Sequence, residues 1–318
     1  MTEKTNIWLN GIMGVVVGDA LGCPVQFESR AEVSGHPITG MRGYGTFHLP
    51  EGSWTDDSSL TLALLESIGR KKGIDLDDIM ENFMKWLYDG KFTPYGESFD
   101  IGRGTMLAID RYRKYRKARK CGGDDEWNNG NGSLMRILPA CIYCSLMREN
   151  GSFSDRDAIE TVHAVGSLTH AHIRANIACG LYFFMVHQVL TGTGSLKDRL
   201  RKGLTEGFAF YESCLADKEN LHYYDRLRDL TAFSELPADK ISSSGYVVDT
   251  LEAAVWSLIT TADFKDALLK AVNLGDDTDT VGAIAGGLGG LYYGIGGIPE
   301  DWLAAIKGRE WIESLCDL

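Results

Sequence analysis

Apolar residues recur at helical spacing in four windows of the chain: Leu60, Leu64, Leu65 and Ile68; Leu76, Ile79, Phe83, Trp86 and Leu87; Ile177, Leu181 and Phe184; and Val248, Leu251, Val255 and Leu258. Positions three or four apart share one face of an α-helix, so each window predicts a helix with a buried stripe. Strict alternation of apolar and polar residues, which a half-buried strand needs, is scarce. Seven prolines interrupt 318 residues, and no repeat, low-complexity tract or Pro/Gly/Ser linker marks a boundary. The pattern predicts an all-α fold: a single-domain multi-helix bundle over residues 1–318, with Gly- and Asp-rich motifs on its loops.

Several helix starts are readable. Thr55-Asp56-Asp57-Ser58 precedes the first window, Asp75 the second, and Asp277-Thr278-Asp279-Thr280 precedes a run of small residues from Val281 to Gly290. That run holds Gly282, Ala283, Ala285, Gly286, Gly287, Gly289 and Gly290, a composition poor in helix propensity. Close helix packing is the usual compensation, and the expected partner is the glycine-rich first helix, with Gly11, Gly14 and Gly18.

Composition narrows the class. With 44% hydrophobic and 24% charged residues the chain is of ordinary globular type. The first apolar stretch, Ile12 to Val17, is cut by Gly14 and ends at Gly18-Asp19, short of the roughly 20 residues of a spanning helix. No membrane segment is expected, and Met1-Thr2-Glu3-Lys4 does not open a secretory signal, so a cytoplasmic location is expected. The seven cysteines are scattered, which suits a reducing compartment, and Cys141 and Cys144 read as buried positions one helical turn apart rather than half a zinc site. A net charge of −12 argues against nucleic acid as a partner and leaves many carboxylates available to metal. Arg111 to Lys120, with seven basic residues, runs against that charge; it reads as a solvated helix end, with an acidic partner or a nucleic-acid backbone as the sharper alternative.

The candidate chemistry lies in two clusters with one grammar: Thr55-Asp56-Asp57 near the start, and Asp276-Asp277-Thr278-Asp279-Thr280 near the end. Either alone reads as helix capping. A cap needs one side chain, however, and five aspartates brought together would repel one another unless protonated or held by cations. Oxygen-only ligands suit hard ions such as Mg²⁺ or Mn²⁺. Gly18 to Gly22, Gly130 to Arg136 and Ser244-Gly245-Tyr246 have the look of ligand-contacting loops, although a Gly-Asn-Gly segment is also an ordinary turn.

The set GDALG (Gly18 to Gly22), WTDD (Trp54 to Asp57), FDIG (Phe99 to Gly102), GNGSLMR (Gly130 to Arg136), Thr169-His170, SGYVVDTLEAA (Ser244 to Ala254) and GDDTDTVGAIAGGLGGLYYG (Gly275 to Gly294) resembles the ADP-ribosylglycohydrolases, in the family's order and across nearly the whole chain. The resemblance implies an all-helical fold around a centre of two Mg²⁺ or Mn²⁺ ions. It also implies an ADP-ribosylated protein as substrate, with ADP-ribose as product. Carried over position by position, Thr55, Asp56, Asp57, Asp277, Asp279 and Thr280 look like the metal ligands. Gly130, Asn131, Gly132, Ser133, Met135 and Arg136 resemble the segment that holds diphosphate and ribose; His170 would line the same cleft, and Tyr246 would stack on adenine. Asp100 matches a carboxylate set near the target side chain in arginine-directed bacterial members, and Glu28 an acidic residue near the metals. One departure is Asp276, where many members have glycine; its role stays open.

Cleavage of the C1″–N bond passes through an oxocarbenium-like state, so water must be delivered and a proton removed. Asp56 or Glu28 is the expected base, and Asp100 the expected partner of a guanidinium leaving group, which favours ADP-ribosyl-arginine. The alternatives are a binding or structural protein of the same fold without turnover, or a hydrolase of serine-linked or free ADP-ribose derivatives. An isoprenoid synthase is disfavoured because its carboxylates would be separated by a helical turn, and no Gly-x-Ser-x-Gly elbow supports a nucleophilic hydrolase. A monomer is expected.

Overall fold

In this computed structural model, which describes residues 6–214 and 218–318, eleven helices have nine or more residues. They are α1 (Ile7–Gly22), α2 (Asp56–Lys71), α3 (Leu76–Asp89), α4 (Arg103–Tyr115), α5 (Leu138–Glu149), α6 (Asp155–Gly166), α7 (Ile173–Thr191), α8 (Leu196–Cys214), α9 (Val247–Ile259), α10 (Phe264–Val272) and α11 (Thr278–Tyr293). All four periodic windows lie on helices, and among the described residues extended pairing is limited to isolated bridges, Gly123 with His170 and Gly130 with Tyr246. One continuous apolar core runs from Trp8 to Cys316.

The glycine-rich helices α1 and α11 pack antiparallel with their backbones in contact. A Cβ on Gly14 would fall 2.1 Å from the Gly286 carbonyl oxygen, and one on Gly18 would fall 2.0 Å from that of Gly282. The low propensity of α11 is thus offset by a backbone approach that any side chain would prevent. This pairing sets the site, because it lays the end of α1 against the start of α11: a Cβ on Gly22 would be 2.4 Å from the Asp279 nitrogen.

The expectation that the first apolar stretch stops at Gly18 is corrected. Helix α1 runs unbroken from Ile7 through Gly22, since its glycines are packing positions rather than breaks. Two segments, Ile7–Val25 and Ile173–Thr191, are long and apolar enough to span a membrane by length and composition, but their windows are 89% and 83% buried within the fold. Cys141 and Cys144 are fully buried on α5, with burial pushing the Cys144 thiol up to about 12, so neither offers a thiolate to zinc or to redox chemistry. The basic run forms the end of α4 and the turn that follows it; its basic side chains are exposed except Arg111, which is half-buried and lines the cleft described below.

Candidate active site

A cleft of about 710 Å³ opens where α2, α4 and α11 meet the Gly130 loop and the Gln26–Phe27 segment. Its carboxylate side is built by the mouths of α2 and α11. Thr55 and Asp277 occupy the N-cap positions of these helices, yet neither side chain makes a capping hydrogen bond. Asp19 caps α2 from α1 instead: its carboxylate accepts from the Thr55 nitrogen at 2.9 Å, the Ser58 nitrogen at 2.9 Å and the Ser58 hydroxyl at 2.5 Å. The capping reading of Thr55-Asp56-Asp57 is therefore answered, because a residue from another helix does that work and leaves all three side chains free of capping, with Asp56 and Asp57 lining the cleft. Asp19 stood inside a motif, but only the fold shows its task.

The remaining carboxylates crowd together. Asp56, Asp57 and Asp279 are buried at 5%, 1% and 0% exposure, and Asp56, Asp57, Asp100 and Asp277 line the cleft. Burial first, then Asp100 and Asp57, holds the Asp56 carboxyl well above the usual carboxylate range. Burial and then Asp19 and Asp277 do the same to Asp57, and burial with Asp57 and Asp277 to Asp279. No lysine or arginine is within ion-pair distance of these three among the described residues; the arginines of the cleft, Arg103 and Arg111, stand on α4. Asp100, raised by burial, lies beside Gln26, which the sequence reading had not singled out.

Hydroxyls stand among these carboxylates without satisfying them. Thr55 Oγ1 is 3.4 Å from Asp57 Oδ2 and 3.3 Å from Asp279 Oδ2, and Thr280 Oγ1 is 3.4 Å from Asp57 Oδ2. A charge-assisted hydroxyl–carboxylate bond is about 2.6 Å. Asp57 Oδ1 is buried with no hydrogen-bond partner among the described residues. Among the described residues no three acidic, His or Cys side chains converge on a single point, so side-chain rotation within the set would be needed to enclose an ion. The donor set nevertheless fits hard divalent cations: it is oxygen only, buried, anionic and uncompensated.

The opposite wall is the Gly130 loop. Gly130, Asn131, Gly132, Met135 and His170 line the cleft, as do Gly104 and Thr105 at the start of α4. Asn131 Nδ2 donates to Asp277 Oδ2 at 2.7 Å and to Thr250 Oγ1 at 3.0 Å, tying this loop to the carboxylates. The loop is pinned on its far side by bonds from the Asn131 nitrogen to the Gly245 carbonyl and from the Val247 nitrogen to the Asn129 carbonyl. On the rim stand two exposed aromatics, Phe27 and Trp127.

Six expected site residues are outside the cleft lining: Thr55 and Asp279 are buried beside Asp57, and the other four stand elsewhere. Glu28 is outside the lining, with its carboxylate 3.3 Å from His36 Nε2. Tyr246 is half-buried behind the loop, its hydroxyl 3.4 Å from an Arg174 nitrogen. Ser133 and Arg136 are fully buried beneath the loop and do not reach the cleft surface. Asp276 is exposed with φ of 61°, and its backbone joins the Phe27–Glu28 segment through two 2.7 Å bonds. A left-handed backbone favours glycine and tolerates aspartate, so the departure at Asp276 concerns conformation rather than added site charge.

The whole-chain comparisons agree with this architecture. The ADP-ribosylglycohydrolase family model matches residues 5–318. The chain belongs to the ADP-ribosylglycohydrolase family. It is 32% identical over 308 residues to ADP-ribosylarginine hydrolase Tri1 of Serratia proteamaculans, covering 96% of this chain and 76% of that one. It is also 31% identical over 300 residues to ADP-ribosyl-[dinitrogen reductase] glycohydrolase of Rhodospirillum rubrum, covering 94% and 89% of the two chains. A solved structure titled ADP-ribosylglycohydrolase-related protein complex superposes with a TM-score of 0.77 at 31% identity, covering 99% of this chain and 97% of that one.

This ADP-ribosylglycohydrolase keeps its cleft imidazole neutral. Burial, then the charge of Arg136, lowers His170 from 6.5 to about 3. A depressed histidine contributes stability that is present above its unfolded pKa and lost as pH falls from about 6.5 towards 3. The melting temperature of wild type relative to His170→Gln should therefore fall through that window, by the equivalent of a few kcal/mol. A difference that stays flat with pH would contradict a neutral buried ring.

Proposed function

We propose that the chain is a divalent-metal-dependent hydrolase that removes ADP-ribose from modified arginine side chains of proteins. The observation that carries this reading is the carboxylate cluster at the mouths of α2 and α11: Asp56, Asp57, Asp277 and Thr280 line a cleft of about 710 Å³, and Thr55 and Asp279 are buried beside Asp57. The named activities of the Serratia and Rhodospirillum relatives point to the same chemistry. Thr55, Asp56, Asp57, Asp277, Asp279 and Thr280 are the residues that would hold two Mg²⁺ or Mn²⁺ ions. Such ions supply positive charge that orients vicinal ribose hydroxyls and makes a water or sugar hydroxyl more acidic.

The chain's own residues supply the rest. Asp56 lines the cleft with a raised carboxyl pKa, and takes a proton from the water that attacks the anomeric carbon. Asp100 faces the same space and pairs with the guanidinium as the C–N bond breaks, which is the reason for choosing arginine over serine. The Gly130 to Gly132 segment lets the sugar and diphosphate approach backbone closely. A cytoplasmic setting belongs to this reading, since all seven cysteines are unpaired and six are buried.

The test is release of ADP-ribose from arginine- and serine-modified proteins in parallel, with Mg²⁺, with Mn²⁺ and with chelator. Release from the arginine conjugate is expected, with loss of at least about 100-fold on chelation and recovery on adding either ion. Release from serine alone would move the substrate. Binding of ADP-ribose without release from either would make this a binding protein.

A further inference from the structure

Arg136 was expected in the cleft and is instead fully buried, with no carboxylate partner among the described residues. Its guanidinium packs 4.7 Å from the Phe83 ring centroid and reaches the Val165 and Gly166 carbonyls at 3.4 to 3.5 Å. Its one short bond is to Thr169 Oγ1, at 2.8 Å. Burial brings Arg136 down to about 10, so it stays charged at neutral pH. A guanidinium only donates, so Thr169 Oγ1 is the acceptor of that bond.

The same oxygen is 2.9 Å from His170 Nδ1. No other acceptor for the Thr169 hydroxyl is found among the described residues, so its proton goes to Nδ1. The reverse arrangement, with Nδ1–H donating to Thr169, would strand a hydroxyl proton at 0% exposure. The ring proton therefore sits on Nε2. That nitrogen faces the cleft in a cradle of glycines: a Cβ on Gly104 would lie 2.9 Å from it, one on Gly132 3.2 Å and one on Gly130 3.7 Å. It has no hydrogen-bond acceptor among the described residues.

We propose that Arg136 and Thr169 are positioning residues that lock His170 as a neutral Nε2–H donor aimed at an oxygen of the bound ADP-ribose. The inference rests on the substrate reading above for the identity of that oxygen, but not for the state of the ring. It gives the buried arginine a function: the cation fixes the direction of the threonine hydroxyl, and the hydroxyl fixes the tautomer. It also removes His170 from proton transfer, because its one lone pair is engaged and the imidazolium would stand beside a buried cation.

The test uses the full chain with ¹⁵N-labelled histidine. Wild type should show His170 with Nδ1 unprotonated and Nε2 protonated, without titration between about pH 5 and 8. Thr169→Val keeps the shape and removes the hydroxyl. It should give mixed tautomers and weaken ADP-ribose binding roughly tenfold, while Thr169→Ser should restore both. A wild-type ring protonated on Nδ1 would overturn the proposal, as would a folded Thr169→Val protein with unchanged His170 signals and binding. If Thr169→Val does not fold, the wild-type spectrum decides. If the spectra and ADP-ribose binding behave as stated but no modified protein is hydrolysed, the relay stands and the arginine-hydrolase reading falls.

Discussion

Asp57→Asn is expected to lower release of ADP-ribose by about 1000-fold, or ~4 kcal/mol of transition-state stabilisation, while raising the melting temperature of the chelator-treated protein. Both effects come from one geometry. Asp57 is 1% exposed and stands among Asp19, Asp277 and Asp100, with one carboxylate oxygen unpartnered and no ion pair among the described residues. Its raised folded pKa means that its contribution to stability is present below 3.8 and is lost as pH rises towards the raised value. The amide removes that loss at neutral pH and removes the charge that would hold an ion. The stability gain should shrink on acidification, and in the presence of Mg²⁺ or Mn²⁺ wild type should recover more than the variant. Activity near wild type would sink the metal assignment of this residue. An unchanged melting temperature would mean that the cluster carries less like-charge strain than its burial implies.

The second large effect concerns the scaffold. Gly14→Val and Gly18→Val are each expected to destabilise the protein by about 3 kcal/mol or more, since overpacking against backbone has no side chain to move aside. The first Cβ alone would lie 2.1 Å from the Gly286 oxygen, and the second 2.0 Å from that of Gly282. Activity should fall with the fold, because the same helix pair carries Asp19 to Thr55 and Gly22 to Asp279. Gly35→Ala, where an added Cβ meets nothing within 4 Å, is the control and should leave the melting temperature nearly unchanged. Soluble yield and thermal unfolding of the three variants make the comparison. Well-folded Gly14→Val protein would show that α1 and α11 can separate, contrary to their packing.

The apolar periodicities at Leu60 to Ile68 and Val248 to Leu258 determined helices without help from context, because a 3.6-residue stripe is a local property of the chain. Glycine content located the close helix pair for a related reason: only a residue without Cβ permits backbone contact, so Gly14, Gly18, Gly282 and Gly286 announce it in the sequence. The Asp and Thr clusters were legible as chemistry, since carboxylate density is itself a sequence feature. What they could not disclose was whether those side chains cap their own helices. That depended on Asp19 arriving from α1 to accept the Thr55 and Ser58 protons, a contact across 36 residues.

The tertiary structure also decided which members of a motif face the cleft. Gly130 to Arg136 reads as one ligand loop, yet a tight turn sends successive side chains in different directions, leaving Asn131 and Met135 on the cleft wall and Ser133 and Arg136 beneath it. Glu28 was displaced similarly, its carboxylate beside His36 while Gln26 lines the cleft. Local sequence fixes residue type and helical phase. The direction of a side chain on a loop, and the partner that frees or occupies it, come from contacts between segments far apart in the chain.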